Sequence, residues 1–99
     1  MLSFRGAGVS DFVWDPEKEA LNLSKHGINF STAAGVFKDP RRKIFKDIGH
    51  SGQEERFYCI GCVAGRILTV RFTYRERKIR IIGAGFWRKG RSYYEEEEC

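Results

Sequence analysis

The sequence predicts an α+β domain in which helices come first along the chain and a β-sheet follows. Apolar residues recur at helical spacing before residue 38, whereas apolar and polar residues alternate in the runs after residue 43. The later runs are joined by short connections, which favour antiparallel neighbours. We therefore expect a two-layer domain with the N-terminal helices packed on one face of an antiparallel sheet and a C-terminal helix at the end.

Size and composition fit one folded domain. The chain has 99 residues, of which 41% are hydrophobic, and these values predict a globule with a modest core. We expect a flexible leader over 1–10, a single domain over 11–94 and an acidic tail over 95–99. No apolar run approaches the ~20 residues of a membrane span, and the first residues lack a signal-peptide pattern. The sequence therefore predicts a cytoplasmic protein.

The first helix, over 16–26, has both of its ends marked in the sequence. Asp15 can cap the first turn through its carboxylate, and Pro16 occupies the first helical position, where no amide hydrogen bond is lost. His26 lies at the negative end of the helix dipole, and Gly27 supplies the left-handed residue that ends the helix.

The remaining elements follow from local patterns and turn residues. Ser31 is expected to cap a second short helix, which Asp39 and Pro40 end. The β-rich runs are separated by residues typical of turns. The predicted strands span 11–14, 43–48, 57–63, 67–74 and 79–84, with a loop at 49–53, turns at 64–65 and 76–77, and a final helix over 88–98.

Three cysteines cannot all pair within one chain. Cys59 and Cys62 form a C-x-x-C motif, but a strand over 57–63 directs their thiols to opposite faces of the sheet. One interpretation of this motif is a metal or redox site. The other is that both cysteines are small, buried, apolar residues of a protein in a reducing compartment.

Charge is strongly segregated along the chain. From Arg56 to Arg91 ten basic residues stand against one acid, Glu76, so this segment carries about +9 and the rest about −4. This distribution indicates a polyanionic partner, most simply a nucleic acid. An acidic protein partner or a basic face exposed to solvent gives the same pattern.

Alternation along the strands predicts which basic residues share a face. In the strand ending at Arg75, apolar residues point one way, while Arg71 and Arg75 point the other; Arg80 on the next strand joins them. Guanidinium groups on adjacent strands repel one another unless an anion lies between them, and their fork geometry suits phosphate.

Several motifs follow one another over roughly residues 12–94: Trp14-Asp15-Pro16 with Asn22-Leu23-Ser24-Lys25-His26-Gly27-Ile28-Asn29-Phe30, then Phe37-Lys38-Asp39-Pro40, His50 to Phe57, Ile60-Gly61 with Gly65-Arg66, and Arg80-Ile81-Ile82-Gly83-Ala84. In order and spacing they resemble the motifs of the BrnT family of small bacterial ribonuclease toxins, with one residue inserted before the acidic pair in the stretch from His50 to Phe57. The resemblance implies a RelE-like fold and a type II toxin–antitoxin system.

The resemblance also implies an activity and partners. The activity is metal-independent endoribonuclease cleavage that inhibits translation, with no cofactor. The partners are the RNA substrate and a BrnA-like antitoxin, through which the pair contacts operator DNA as a hetero-tetramer.

Two positions depart from the family pattern. Many members carry an arginine where this chain has Gly85, and an acid where it has Tyr74. The sequence resembles a variant branch with Gly-Ala-Gly-x-Trp-Arg-Lys-Gly, in which Arg88 or Lys89 could supply the cation. The alternative is a non-catalytic basic module that binds its antitoxin or DNA and acts in operon autoregulation.

Metal-free RNA cleavage requires groups that orient the 2′-hydroxyl, move protons and stabilise negative charge. No cluster of side chains in the sequence has metal-ligand spacing. The catalytic candidates are Arg71, Arg75, Arg80, His50, Glu55 and Tyr74. The nucleic-acid-binding candidates are Arg56, Arg66, Lys78, Trp87, Arg88 and Lys89.

Some of these candidates have a structural alternative. His50 could be a loop residue without a role, and Glu55 could pair with Arg56. Tyr74 could face the core by alternation, and Trp87 could stack on a base or close the core beside the last helix.

Overall fold

The computed structural model describes residues 12–50, 52, 54–94 and 99, without the side chain of His50. The predicted leader over 1–10 and all but the last residue of the predicted tail lie outside these residues. The strands are β1 (Phe12–Trp14), β2 (Lys43–Lys46), β3 (Phe57–Val63), β4 (Arg66–Arg75) and β5 (Lys78–Gly85). The helices are α1 (Pro16–His26), α2 (Phe30–Ala33) and α3 (Arg88–Arg91), with 3₁₀ turns at Ala34–Lys38 and Ile48–His50.

The sheet has the strand order β1-β5-β4-β3-β2. β2 to β5 are antiparallel neighbours, as the short connections predicted. β1 instead pairs with β5 in parallel, so the predicted antiparallel sheet has one parallel edge strand. No hairpin joins β1 to β5, so no tight turn requires these two strands to be antiparallel.

The predicted caps of α1 are present. The Asp15 side chain accepts a hydrogen bond from the amide of Glu17 at 2.8 Å, and Gly27 at φ 71° donates its amide to the carbonyl of Leu23. Asn22 is the buried residue of this helix: its amide group donates to the carbonyl of Ile28, and its Oδ1 accepts from the amide of Ala84, both at 3.0 Å. These two bonds hold α1 against the end of β5.

The main core lies between the sheet and the N-terminal helices, which confirms the two-layer arrangement. Its centre is aromatic, with Phe37 and Phe72 in edge contact at 5.0 Å between ring centroids. The buried members are Ile28, Phe30, Ala33, Val36, Phe37, Cys59, Leu68, Val70, Phe72, Ile79, Ile81 and Ala84.

Three predicted boundaries differ from the structure by two residues or more. α2 is capped by Asn29 rather than Ser31, because the Asn29 side chain reaches the amide of Thr32 at 2.7 Å. β2 ends at Lys46, whereas the sequence predicted a strand up to residue 48. A 3₁₀ turn begins at Ile48 instead. α3 ends at Arg91, and the amides of Tyr93 and Tyr94 bond three positions back, as in a 3₁₀ turn.

The face of the sheet opposite the main core is partly covered by the C-terminal part of the chain. α3 packs on β4, with Gly90 directly against Thr69. A second small core of Ile60, Ile67 and Tyr94 lies beside it.

Asp39 connects three parts of the chain beside this second core. Its carboxylate accepts from the amides of Arg41 and Cys62 at 2.9 and 2.7 Å, and from the hydroxyl of Tyr94 at 2.5 Å. Burial alone would raise the pKa of Asp39, but these hydrogen bonds and the Arg41 charge hold it below its usual value. The carboxylate thus fixes the C-terminal segment to β3.

The cysteines follow the prediction in part. Cys59 and Cys62 lie on opposite faces of β3, as alternation requires, and Cys59 is a free thiol in the main core. Burial raises the pKa of Cys59 to about 12. Cys62 is not merely a small apolar residue, because it forms a disulfide with Cys99.

Candidate functional site

The register of β4 and β5 brings three arginines to one face of the sheet. Arg71 and Arg75 lie four residues apart on β4, and Arg80 lies opposite Thr73, between them. Directly paired residues share a face, so all three project away from the main core. At ~3.3 Å per residue, Arg71 and Arg75 are about 13 Å apart along the strand. We call these three residues the arginine surface, and its composition agrees with the sequence prediction.

The segment between β2 and β3 crosses the same face. The amide of Asp47 donates to the carbonyl of Arg56 at 2.7 Å, which closes the segment at its base. The Thr73 hydroxyl, on the arginine-bearing side of β4, donates to the carbonyl of Glu55 at 2.6 Å. These bonds hold residues 54–56 beside the arginine surface.

Glu54 places a carboxylate within the arginine surface. Its Oε1 lies 3.0 Å from Nη2 of Arg75 in a charge-assisted hydrogen bond. That bond, with further attraction from the charges of Arg75, Arg56 and Arg80, lowers the pKa of Glu54 below its usual value of 4.5. Glu54 is therefore ionised at neutral pH, and it offsets the repulsion among the arginines.

Tyr58 lies on β3 directly opposite Arg71. Burial raises the pKa of Tyr58, and its hydrogen bond to the Asp47 carboxylate adds to the shift, against the opposing charge of Arg71. The phenol thus stays protonated at neutral pH. Nε of Arg71 is buried and has no hydrogen-bond partner among the residues that the structure describes. An anion bound at Arg71 would satisfy this donor.

Two catalytic candidates do not lie where the prediction needs them. Tyr74 points to the helix-covered side of β4, where its ring contacts Phe57 and Phe72 at 5.5 and 5.4 Å. The sheet separates it from the arginine surface, so the structure does not bring Tyr74 together with the three arginines. Glu55 forms an exposed ion pair with Lys46 at 2.8 Å. His50 ends a 3₁₀ turn, and its side chain lies outside the described part of the chain.

The nucleic-acid-binding candidates fall into two groups. Lys78 lies opposite Arg75, and Arg56 follows Glu54 closely in the chain, so both extend the arginine surface. Arg66 lies at the other end of β4, where its guanidinium stacks 3.9 Å over the ring of Phe86. It lines a cleft of about 300 Å³ there.

The start of α3 carries the remaining basic candidates. Arg88 and Lys89 are exposed, on a helix that packs against the arginine-bearing face at Thr69. They add positive charge to that face. Trp87 precedes them and makes an edge contact with the ring of His26 at 5.6 Å, leaving 36% of the tryptophan exposed.

Trp87 also explains the glycine at position 85. A Cβ on Gly85 would lie 2.9 Å from two ring carbons of Trp87, closer than real Cβ atoms approach. The tryptophan thus occupies the space into which a side chain at this position would extend.

Sequence reasoning missed Glu54 and Tyr58. Glu54 is next to Glu55, and only the path of the segment between β2 and β3 decides which carboxylate meets Arg75. The position of Tyr58 could have been predicted from the sequence, because strand alternation places its side chain on the face of β3 opposite to that of Cys59.

Two negative observations concern the described residues alone. Within 12–50, 52, 54–94 and 99, no three His, Cys, Asp or Glu side chains are grouped to hold a metal ion. None of the helices in the same part of the chain is long and apolar enough to cross a membrane.

Comparison with known proteins identifies the family. Residues 14–90 match the family described as "Ribonuclease toxin, BrnT, of type II toxin-antitoxin system". No curated protein matches the chain. Five mostly antiparallel strands with three helices are consistent with a RelE-like toxin fold. The match covers most of the chain, and the protein therefore belongs to the BrnT family.

Proposed function

We propose that this member of the BrnT family is a metal-independent endoribonuclease that cleaves RNA and thereby inhibits translation. The observation that carries the proposal is the arginine surface with the Glu54 carboxylate bound to it at Arg75. Cleavage without metal needs cations for the phosphate and groups that move protons, and the arginines and Glu54 would fill these two roles.

The arginines would bind the scissile phosphate and its neighbour. When the ribose 2′-hydroxyl attacks the adjacent phosphorus, negative charge grows on the non-bridging oxygens, and guanidinium groups stabilise it. Arg75 bonds to Glu54, and the charge of Arg80 also acts on this carboxylate, so both arginines are assigned to the reacting phosphate. Arg71, with its unpaired Nε among the described residues, is assigned to the next phosphate along the strand.

Proton transfer is assigned to the two residues that sequence reasoning missed. Glu54 is ionised and would accept the proton of the 2′-hydroxyl once the phosphate takes its place at Arg75. Tyr58 stays protonated and would act as a donor to the reacting phosphate or the leaving oxygen. His50 stays a prediction as a further acid or base.

The rest of the RNA would follow the positive charge around the arginine surface. Arg56 and Lys78 flank it at one end, and Arg88 and Lys89 at the other. The partly exposed ring of Trp87 could stack on a base. Arg66 lies about 30 Å from Arg75 along β4 and is assigned at most to a distant part of the RNA.

Membership of a type II toxin–antitoxin family implies an antitoxin partner. We propose a BrnA-like antitoxin that covers the arginine surface, so that inhibition and RNA binding compete for one site. Through this antitoxin the complex would bind operator DNA, as a hetero-tetramer in the cytoplasm.

One observation favours a second function. Trp87 fills the position where many members of the family carry an arginine, so this chain lacks that cation. A variant without cleavage would still bind an antitoxin through its basic face and act in operon autoregulation.

Digestion of RNA by the purified chain, freed of its partner and kept in EDTA, separates the two functions. A ribonuclease of the proposed kind leaves 2′,3′-cyclic phosphate ends, because the attacking group is the 2′-hydroxyl. If the RNA stays intact under all salt and metal conditions, the result supports the second function, a module that binds its antitoxin without cleaving RNA.

A further inference from the structure

The sheet has an open edge at β2. This strand is the last in the strand order, and the described residues provide no neighbour on its outer side. All four of its residues are exposed, including Ile44 at 43% and Phe45 at 39%. An edge strand presents unpaired backbone N–H and C=O groups, and exposed apolar residues make such an edge a template for another chain.

Further apolar surface adjoins this edge. Phe45 packs against Tyr93 with ring centroids 4.8 Å apart, and Tyr93 remains 46% exposed. Ile48, just after β2, is 81% exposed. Large apolar side chains grouped around an open strand are typical of an interaction site.

This surface continues into the arginine-bearing face. Phe45 lies opposite Tyr58 on β3, and Tyr58 lies opposite Arg71 on β4. Neighbouring strands are ~4.8 Å apart, so Phe45 is about 10 Å from the arginine surface across the sheet.

Charge decides what kind of chain fits the edge. β2 reads Lys43-Ile44-Phe45-Lys46, with a cation at each end. Pairing with a second copy in register would place lysine opposite lysine in either direction, and like charges directly opposite destabilise a sheet. A segment with acids at the two matching ends and apolar residues between them pairs favourably. The exposed bond between Lys46 and Glu55 is weak enough to exchange.

We propose that β2 binds an extended acidic–apolar–apolar–acidic segment of a partner protein as a sixth strand. The inference rests on the proposed function in one respect, since the antitoxin is the partner expected to supply the segment. From this edge the antitoxin chain would continue over Phe45 toward the arginine surface. The backbone would provide affinity, and the two lysines would select the sequence.

The test uses NMR titration of the whole chain with a synthetic peptide in which two glutamates flank a Val-Ile pair. We expect amide shifts and slowed amide exchange at Lys43 to Lys46. Two control peptides separate the contribution of charge from that of backbone hydrogen bonding. One carries lysines in place of the glutamates, and the other is N-methylated at the amides that would pair with β2. Both should bind about tenfold more weakly or not at all.

Charge reversal gives the matched protein variants. The Lys43→Glu/Lys46→Glu protein should lose the glutamate peptide and bind the lysine peptide, whereas Lys18→Glu on α1 should change neither. Peptide shifts confined to the arginine surface, or equal binding of the N-methylated peptide, would overturn strand addition. RNA cleavage by the double variant is measured separately and should persist, so a failure of the ribonuclease proposal is distinct from a failure of this one.

Discussion

Glu54 and Glu55 are adjacent in the chain, but Glu54 pairs with Arg75 and Glu55 pairs with Lys46. The sequence could predict the three arginines of the surface, because strand alternation fixes their side. It could not predict Glu54, since residues 54–56 lie outside a strand and obey no period. Strand alternation also predicts the side of Tyr74. It places Tyr74 on the apolar face of β4, away from the arginines, and this argues against a catalytic role.

Replacing Glu54 tests its role as a base. The pKa of Glu54 lies below 4.5, so its carboxyl group is ionised above pH 4.5. The ionised form, which acts as the base, is lost only when the pH falls through this lowered pKa. We expect the wild-type cleavage rate to fall only in that acid range. Glu54→Gln should be slower at neutral pH and should lack the acid-side decline, as measured by a pH–rate profile. Glu55→Gln is the control, and an identical effect of both variants would contradict the assignment.

Replacing Arg80 tests the contact with the reacting phosphate. Arg80→Ala should slow cleavage about 10–100-fold or more, because a contact to transition-state charge is worth up to roughly 2.7–4 kcal/mol. The thermal midpoint should stay near that of the wild type, since the side chain lies outside both cores. Lys18→Ala on α1 is the matched control. Equal rates for the two variants would remove Arg80 from the site.

At the scale of elements, the predictable features are the local ones. The caps of α1 and the turns between β3, β4 and β5 depend on residues a few positions apart, and they appear where the sequence places them. The parallel pairing of β1, the early end of α3 and the Cys62–Cys99 disulfide depend on packing between distant segments. No local pattern encodes such contacts.

The junction of β5 and α3 gives a test of how Trp87 excludes a side chain at position 85. Gly85→Ala should destabilise the protein by about 1–3 kcal/mol, because the new methyl group must displace the indole ring. In a Trp87→Ala background the same substitution should cost much less, as measured by a double-mutant cycle of denaturant unfolding. Equal costs in both backgrounds would show that the ring does not restrict this position.

For the whole molecule, the segregation of charge predicts how the antitoxin associates. An acidic or amphipathic segment of the antitoxin would be steered to the basic face, and exposed charges are screened over ~10 Å at 0.1 M salt. The association rate should therefore fall as salt rises. The Arg71→Ala/Arg75→Ala/Arg80→Ala triple variant should bind the antitoxin more weakly than the wild type. Unchanged affinity, measured by calorimetry, would place the antitoxin elsewhere.

Cleavage of RNA in EDTA by the partner-free chain is the most direct test of the central claim, that the arginine surface performs metal-independent cleavage. Wild type and the triple variant are compared on the same RNA, and product ends are analysed by mass spectrometry. We predict 2′,3′-cyclic phosphate products from the wild type and almost none from the folded triple variant. Cleavage that requires a divalent metal, equal cleavage by both proteins, or no cleavage by the wild type would contradict the claim.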